Sequence, residues 1–526
     1  MKISIQEQHV WLADLGNGRY QNPILHTDYA DPDVIRVESD FYMVASSFCS
    51  SPGIPILHSK DLIHWTIINY VYDRLPYEYY DTVRPSEGAW APSIRYHDGQ
   101  FWVFFSMPDH GIFMSSAVDP MKKWSKLHLV KEVKGWIDPC PFWDEDGQAY
   151  LVIAFAQSRC GLKSVLGLSR MKPDGTGLLD DPVHIFDGTV NHPTIEGPKL
   201  YKRGEFYYIF APAGGVRNGW QTILRSKNIY GPYEDKIVLH QGNSNVNGPH
   251  QGGWIELESG ESWFLHFQDK GAYGRIIHLQ PVEWVDNWPV MGHNHNEQGI
   301  GEPVQEWAKP DVGGTYPINV PVVSDHFNDP SLHLQWQWAA NEKPEWYSLS
   351  AKAGFLRLYA VKPPNGPETL LYDVPNVLCQ KISSPSYTVT AKLMASSIEE
   401  NDQAGVVITG REYASVSLTR CSDDRERLKI SLILGFPSEG RENEYEYARV
   451  AADKPLYLRV GIAPNALCIF SYSLDNVHFN QLGPKFEAQP DHWVGSKIGL
   501  FCINKGQQEN NGYIDFDWIS LDKNTI

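Results

Sequence analysis

The chain opens with short apolar runs separated by charged or glycine-bearing turns, and one such unit returns five times. "DPDVIRVESDFYMVASS" begins at Asp31, "APSIRYHDGQFWVFFSM" at Ala91 and "DPCPFWDEDGQAYLVIAF" at Asp138. "EGPKLYKRGEFYYIFAP" begins at Glu196 and "HQGGWIELESGESWFLHFQ" at His250. Each unit reads as a strand, a tight turn such as His97-Asp98-Gly99, and an aromatic strand, which is a hairpin signal. Further strand material follows each hairpin, as in "IPILHSKDLIHWTII". The unit starts lie 60, 47, 58 and 54 residues apart. Four strands per unit at that spacing predict a five-bladed β-propeller. Two packed sheets would also supply many short strands, but not the same unit five times.

After a Pro/Gly-rich stretch, "AKPDVGGTYPINVPVVS" (308–324), the pattern changes to evenly spaced alternating strands such as "SYTVTAKLMA", "LKISLILG" and "LYLRVGIA". This predicts a β-sandwich over 325–526 behind a propeller over 1–307, with 308–324 as linker. At the sandwich ends, Asp325, Asn328 and Asp515–Asp517 are oxygen donors of the type calcium takes, although acids at turns are ordinarily just solvated.

Composition narrows the function. A net charge of −18 without a Lys/Arg cluster argues against nucleic acid and anionic membrane surfaces as partners. Seven cysteines, an odd count without CxxC spacing, read as reduced thiols. With no apolar core of signal-peptide length in "MKISIQEQHVWLADLGNG", a cytoplasmic location is expected. Oligomeric state is open, a homo-oligomer included.

The candidate chemistry sits at the blade starts. In a propeller the first strand of every blade lines the central channel, so its first residues converge. Round the ring these are Asp31, Ala91 (preceded by Trp90), Asp138, Glu196 and His250. Asp before Pro is ordinary turn chemistry when met singly. Glu is a poor turn residue, and three carboxylates at matched positions repel one another at a cost to stability, so they point either to a cation that absorbs the charge or to a chemical purpose. Glycoside hydrolysis is one such purpose: a carboxylic acid protonates the leaving oxygen while a carboxylate activates water. Groups facing each other across a channel with water between them, about 6.5–9.5 Å apart, would invert the anomeric configuration.

The segments "YADPDV", "WIDPCPFWDEDGQAYL" and "TIEGPKLY" resemble the three signatures of glycoside hydrolase family 43, whose members are inverting five-bladed propellers. "SKDLIHW", "GAWAPSIRYHDGQFWVFF" and "GAYGRIIHLQPVEW" are similar to its β-xylosidase and α-L-arabinofuranosidase branch. The resemblance implies Asp31 as general base, Glu196 as general acid and Asp138 as the residue that tunes and orients Glu196. It implies Phe48 and Trp90 as pocket walls, Arg275 as a ligand of sugar hydroxyls and carboxylates, and His250 beside the sugar or holding a metal–water cluster. The metal expectations are thus His250 in the channel and Asp325 and Asp517 in the sandwich, with calcium structural and no cofactor needed for the chemistry.

It further implies a concanavalin-like jelly roll after the propeller, with a loop that closes the pocket; "INKGQQENNGY" (503–513) is the segment expected to do so. A closed pocket implies release of single terminal sugars from xylo- or arabinoxylo-oligosaccharides. A dedicated α-L-arabinofuranosidase and a non-catalytic carbohydrate-binding propeller are the competing readings. Small Cys49-Ser50-Ser51 depart from the bulkier residues that relatives place there.

Overall fold

The computed structural model describes residues 9–524, so the reading of the amino-terminal segment falls partly outside the described residues. Five four-stranded antiparallel sheets follow one another as blades spanning 33–72, 90–132, 136–187, 199–240 and 250–291. Each sheet keeps chain order, innermost strand first. The second strands of blades two to five are buried over most of their length, and Ala149–Phe155 over all of it, because neighbouring blades cover both faces. That double burial is why they read as continuous apolar runs and not as alternating ones.

The ring closes without exchanging a strand between first and last blades. The segment before blade one runs along strand Arg275–Val285 of blade five, with Leu25 and Ile277 exchanging backbone hydrogen bonds. The Asn22 amide donates to the carbonyls of Leu279 and Val304 and accepts from the Leu279 N–H. A two-stranded ribbon, Arg19–Gln21 with Glu306–Ala308, completes the seam.

Two seven-stranded antiparallel sheets form the sandwich. The larger of its buried apolar clusters also takes in Ala272, Tyr273 and Ile276 of the propeller. The domains therefore share buried surface. The Tyr273 hydroxyl accepts from the Ala466 N–H at 2.7 Å. Ser51 and Trp338 exchange backbone hydrogen bonds at 3.2 and 2.7 Å, and the Ser51 hydroxyl donates to the Ala340 carbonyl. This explains the small Cys49-Ser50-Ser51 run: the sandwich backbone seats directly on it, and bulk there would hold the domains apart.

Candidate active site

Each blade has a residue with positive φ within its first strand or two residues before it: Asp31 (53°), Ala91 (37°), Asp138 (56°), Gly197 (59°) and Gln251 (29°). The pairing register slips at this point in blades two, three and five, the signature of a β-bulge. These residues are the true structural equivalents. Glu196 and His250 are therefore not counterparts of Asp31 and Asp138, as the sequence ring supposed. They sit one position earlier, beside Ala30, Trp90 and Ile137. A bulge sets two successive residues against one partner, which lets side chains one position apart approach the same cavity.

Asp31 is buried and held from two sides. Its Oδ1 accepts from Arg275 Nη1 at 2.6 Å and its Oδ2 from the Ser46 hydroxyl at 2.7 Å. Ser46 Oγ also accepts from the Ala91 N–H, tying blade one to blade two at the channel. Arg275 lies over the Phe267 ring, its guanidinium carbon 4.7 Å from the centroid, and its Nε has no partner.

Asp138 is buried more deeply, 3% exposed, and meets different company. Its Oδ2 accepts from the Gly197 N–H at 2.7 Å and from Gln251 Nε2 at 3.3 Å. Burial pushes its carboxyl up to about 8, the charges of Glu196 and then Asp31 push the same way, and the Gly197 N–H and Lys199 offset part of the rise. Gly197 is required here. A Cβ at its left-handed position would stand 2.4 Å from Gln251 Cγ.

Glu196 is part-exposed at the channel mouth, its backbone N–H bound to the Pro212 carbonyl. His250 Nε2 comes within 3.3 Å of Glu196 Oε1, yet neither ring nitrogen of this buried histidine is in hydrogen-bonding geometry with any protein group. Phe48 and Trp90 stand 6.5 Å apart as adjoining walls. Of the residues expected here, Asp31, Asp138, Glu196, His250, Phe48, Trp90 and Arg275 all fall in this one region.

The loop expectation fails. The 503–513 segment folds back on its own sheet, with Asn510 donating to Asp402 and Lys362 to the Gln507 carbonyl. The segment that reaches the propeller lies between strands Asn480–Glu487 and Lys497–Asn504, and it lays Trp493 edge-on against Trp90 at 4.7 Å. Trp493, Ser46 and Gln251 were invisible to sequence reasoning. None carries a motif, and Trp493 lies in a stretch with no strand period.

The sandwich carboxylates are committed to other partners. Asp325 accepts from the Phe327 N–H and from Trp336 Nε1, each at 2.8 Å. Asp517 pairs with Lys392 at 2.6 Å, and Asp515 takes Arg357 on both oxygens. Cations and N–H donors occupy the places calcium would need. Among the described residues no group of three or more His, Cys, Asp or Glu side chains is arranged to hold a metal. His250 adds one imidazole and one carboxylate neighbour, which is not a calcium donor set.

The model of "Glycosyl hydrolases family 43" matches residues 20–289, and that of the "Beta xylosidase C-terminal Concanavalin A-like domain" matches 324–522. The chain belongs to glycosyl hydrolase family 43. Among relatives, a putative beta-xylosidase of Xylanibacter ruminicola is 39% identical over 494 residues, covering 93% of this chain and 87% of that protein. A non-reducing end alpha-L-arabinofuranosidase of Bacteroides ovatus is 29% identical over 546 residues, covering 97% of each. The crystal structure of the GH43 BlXynB protein from Bacillus licheniformis superposes with a TM-score of 0.80 at 27% identity, over 96% of this chain and 99% of that one. Family membership makes the protein a glycoside hydrolase.

Proposed function

We propose that the protein is an inverting exo-glycosidase that releases terminal xylose from β-1,4-xylo-oligosaccharides and also removes α-L-arabinofuranosyl groups. One observation carries the reading. Carboxylates from blades one, three and four meet closely enough that the charges of Glu196 and Asp31 both raise the proton affinity of Asp138. In this mechanism Asp31 is the general base: Ser46 and Arg275 fix its two oxygens, and it takes a proton from water as that water attacks the anomeric carbon. Glu196, at the open end, gives its proton to the leaving oxygen. Asp138 holds a proton into the neutral range beside Glu196, so the pair retains the proton that the acid step needs. Acid and base are both carboxyl groups, so no cofactor enters the chemistry.

Phe48 and Trp90 wall a pocket for one terminal sugar, and Trp493 narrows its rim, which favours single-residue release over cleavage within a polymer. The beta-xylosidase and arabinofuranosidase relatives support both sugar specificities. Seven cysteines, none in a disulfide, support a reducing, cytoplasmic setting.

The test is hydrolysis of paired nitrophenyl β-xyloside and α-L-arabinofuranoside by the wild type, Asp31→Ala and Glu196→Gln. Asp31→Ala should be inactive on both. Glu196→Gln should lose about 10²–10⁴-fold on xylobiose and much less on the nitrophenyl glycosides, whose leaving groups need little protonation. Undiminished hydrolysis by both variants would refute the assignment. Activity on the arabinofuranoside alone would establish the dedicated arabinofuranosidase instead.

A further inference from the structure

Asp28 is a buried carboxylate with no part in the mechanism above, and it stands where the two domains meet behind the active site. Its Oδ1 accepts from the Arg275 N–H at 2.8 Å, and its Oδ2 from the Gly495 N–H of the sandwich at 2.9 Å. Its backbone carbonyl accepts from Lys381 Nζ, also of the sandwich, at 2.6 Å. The Lys381 ammonium lies 4.2 Å from the centre of the Tyr29 ring. Burial pushes Lys381 down to about 8, while the charge of Asp28 holds it up.

The junction is closed to anything larger. Gly274 has φ 74° and ψ −149°, a conformation that L side chains rarely adopt, and a Cβ there would stand 2.3 Å from Asp28 Cγ. A Cβ on Gly495 would meet the Gly274 nitrogen at 2.6 Å. Ser496 adds a backbone bond to the Ala272 carbonyl at 2.7 Å.

Each end of this clamp leads to the site. On one side is Arg275, whose guanidinium grips Asp31. On the other, two residues before Gly495, is Trp493, which packs against Trp90. We infer that Asp28 is a positioning residue: one carboxylate oxygen holds the backbone of Arg275 and the other holds the sandwich loop, so seating of the sandwich domain sets the arginine that orients Asp31. The sandwich is then a working part of the active site. The inference rests on the reading of Asp31 as the base.

Asp28→Asn tests it with little change of shape. The amide turns one of two acceptors into a donor aimed at an N–H, so one domain loses its hold. On nitrophenyl β-xyloside, Asp28→Asn should lower kcat about 10-fold. In an Arg275→Met background the same change should cost less than twofold, because its effect passes through the arginine. Asn341→Ala is the control for generic interface damage. Asn341 donates to the Leu75 carbonyl and to Asp81 across another part of the same interface. It should lower Tm and leave kcat and KM unchanged.

An equal loss of kcat from Asp28→Asn in both backgrounds would overturn the inference. So would an unchanged kcat, or an Asn341→Ala variant that loses kcat to the same degree. If Asp28→Asn does not fold, Lys381→Met is read through the same cycle. It should show about a threefold loss that Arg275→Met absorbs, and additivity again overturns the role. Asp31→Ala run in parallel separates the two failures. Retained activity there sinks the reading of the site, whereas an inactive Asp31→Ala with an additive cycle sinks the role of Asp28 alone.

Discussion

Asp31 and Asp138 stand at the same place in two blades. Both precede proline, both hold left-handed φ values of 53° and 56°, and both are buried. Their neighbours separate them. Asp31 is bound by a guanidinium and a hydroxyl. Asp138 is bound by a backbone amide and a side-chain amide, with a second carboxylate nearby, and its proton is held into the neutral range. Identical Asp-Pro segments acquire different surroundings because different blades lie next to them. The lesson is that local sequence sets where a carboxyl points, and the adjacent blade sets what it does there.

Breaking the pair at Asp31 should have the largest effect. Asp31→Asn keeps the shape and removes the base, so kcat/KM on xylobiose should fall about 10³–10⁴-fold. Asp138→Asn should cost less, about 10²-fold, because it removes a tuning group and not a reacting one. Arg275→Met attacks the distinction from the other side, leaving Asp31 buried without its cation. We expect a stability loss of about 3–5 kcal/mol by denaturant titration, together with reduced activity.

The fourth test uses pH. The Asp138 carboxyl binds its proton more tightly folded than unfolded, so its contribution to stability is fully present below about 4 and is lost as pH rises through about 8. Asp138→Asn should therefore flatten the fall in Tm between pH 4 and 8 and be relatively more stable than wild type above it. The alkaline limb of wild-type kcat/KM should fall near the same pH. The smallest effect is expected of Ser46→Ala, which removes one hydrogen bond to Asp31 and one acceptor for the Ala91 N–H. It should cost about 1.5–3 kcal/mol and leave the pH profile in place.

Much of this was legible in the chain. The five hairpin units and their spacing predict the blades, because doubly buried strands must be apolar throughout and turns must be polar. Asp31, Asp138 and Glu196 stand out because three acids recur near blade starts. The one-residue offset of Glu196 and His250 was not legible: backbone conformation leaves no mark in residue type, and only the positive φ of Gly197 and, in blade five, the positive φ of Gln251 with a register slip reveal it. The closing loop was misplaced for a similar reason. A polar, flexible-looking segment at 503–513 drew the expectation, while Trp493 in "QPDHWVGSK" offered no pattern. Asp325 and Asp517 looked like metal donors only because Trp336 and Lys392, distant or on a neighbouring strand, could not be seen to satisfy them.

By itself the sequence determined the architecture and the inventory of reacting groups, because hydrophobic periodicity and turn chemistry act over a few residues and are written locally. Only the tertiary structure decided which carboxyl meets a cation, which keeps its proton, and which sandwich loop reaches the pocket. Those outcomes depend on electrostatic and steric contacts between residues far apart in the chain, such as Arg275 with Asp31 and Gly495 with Asp28, and distance along the sequence carries no record of them.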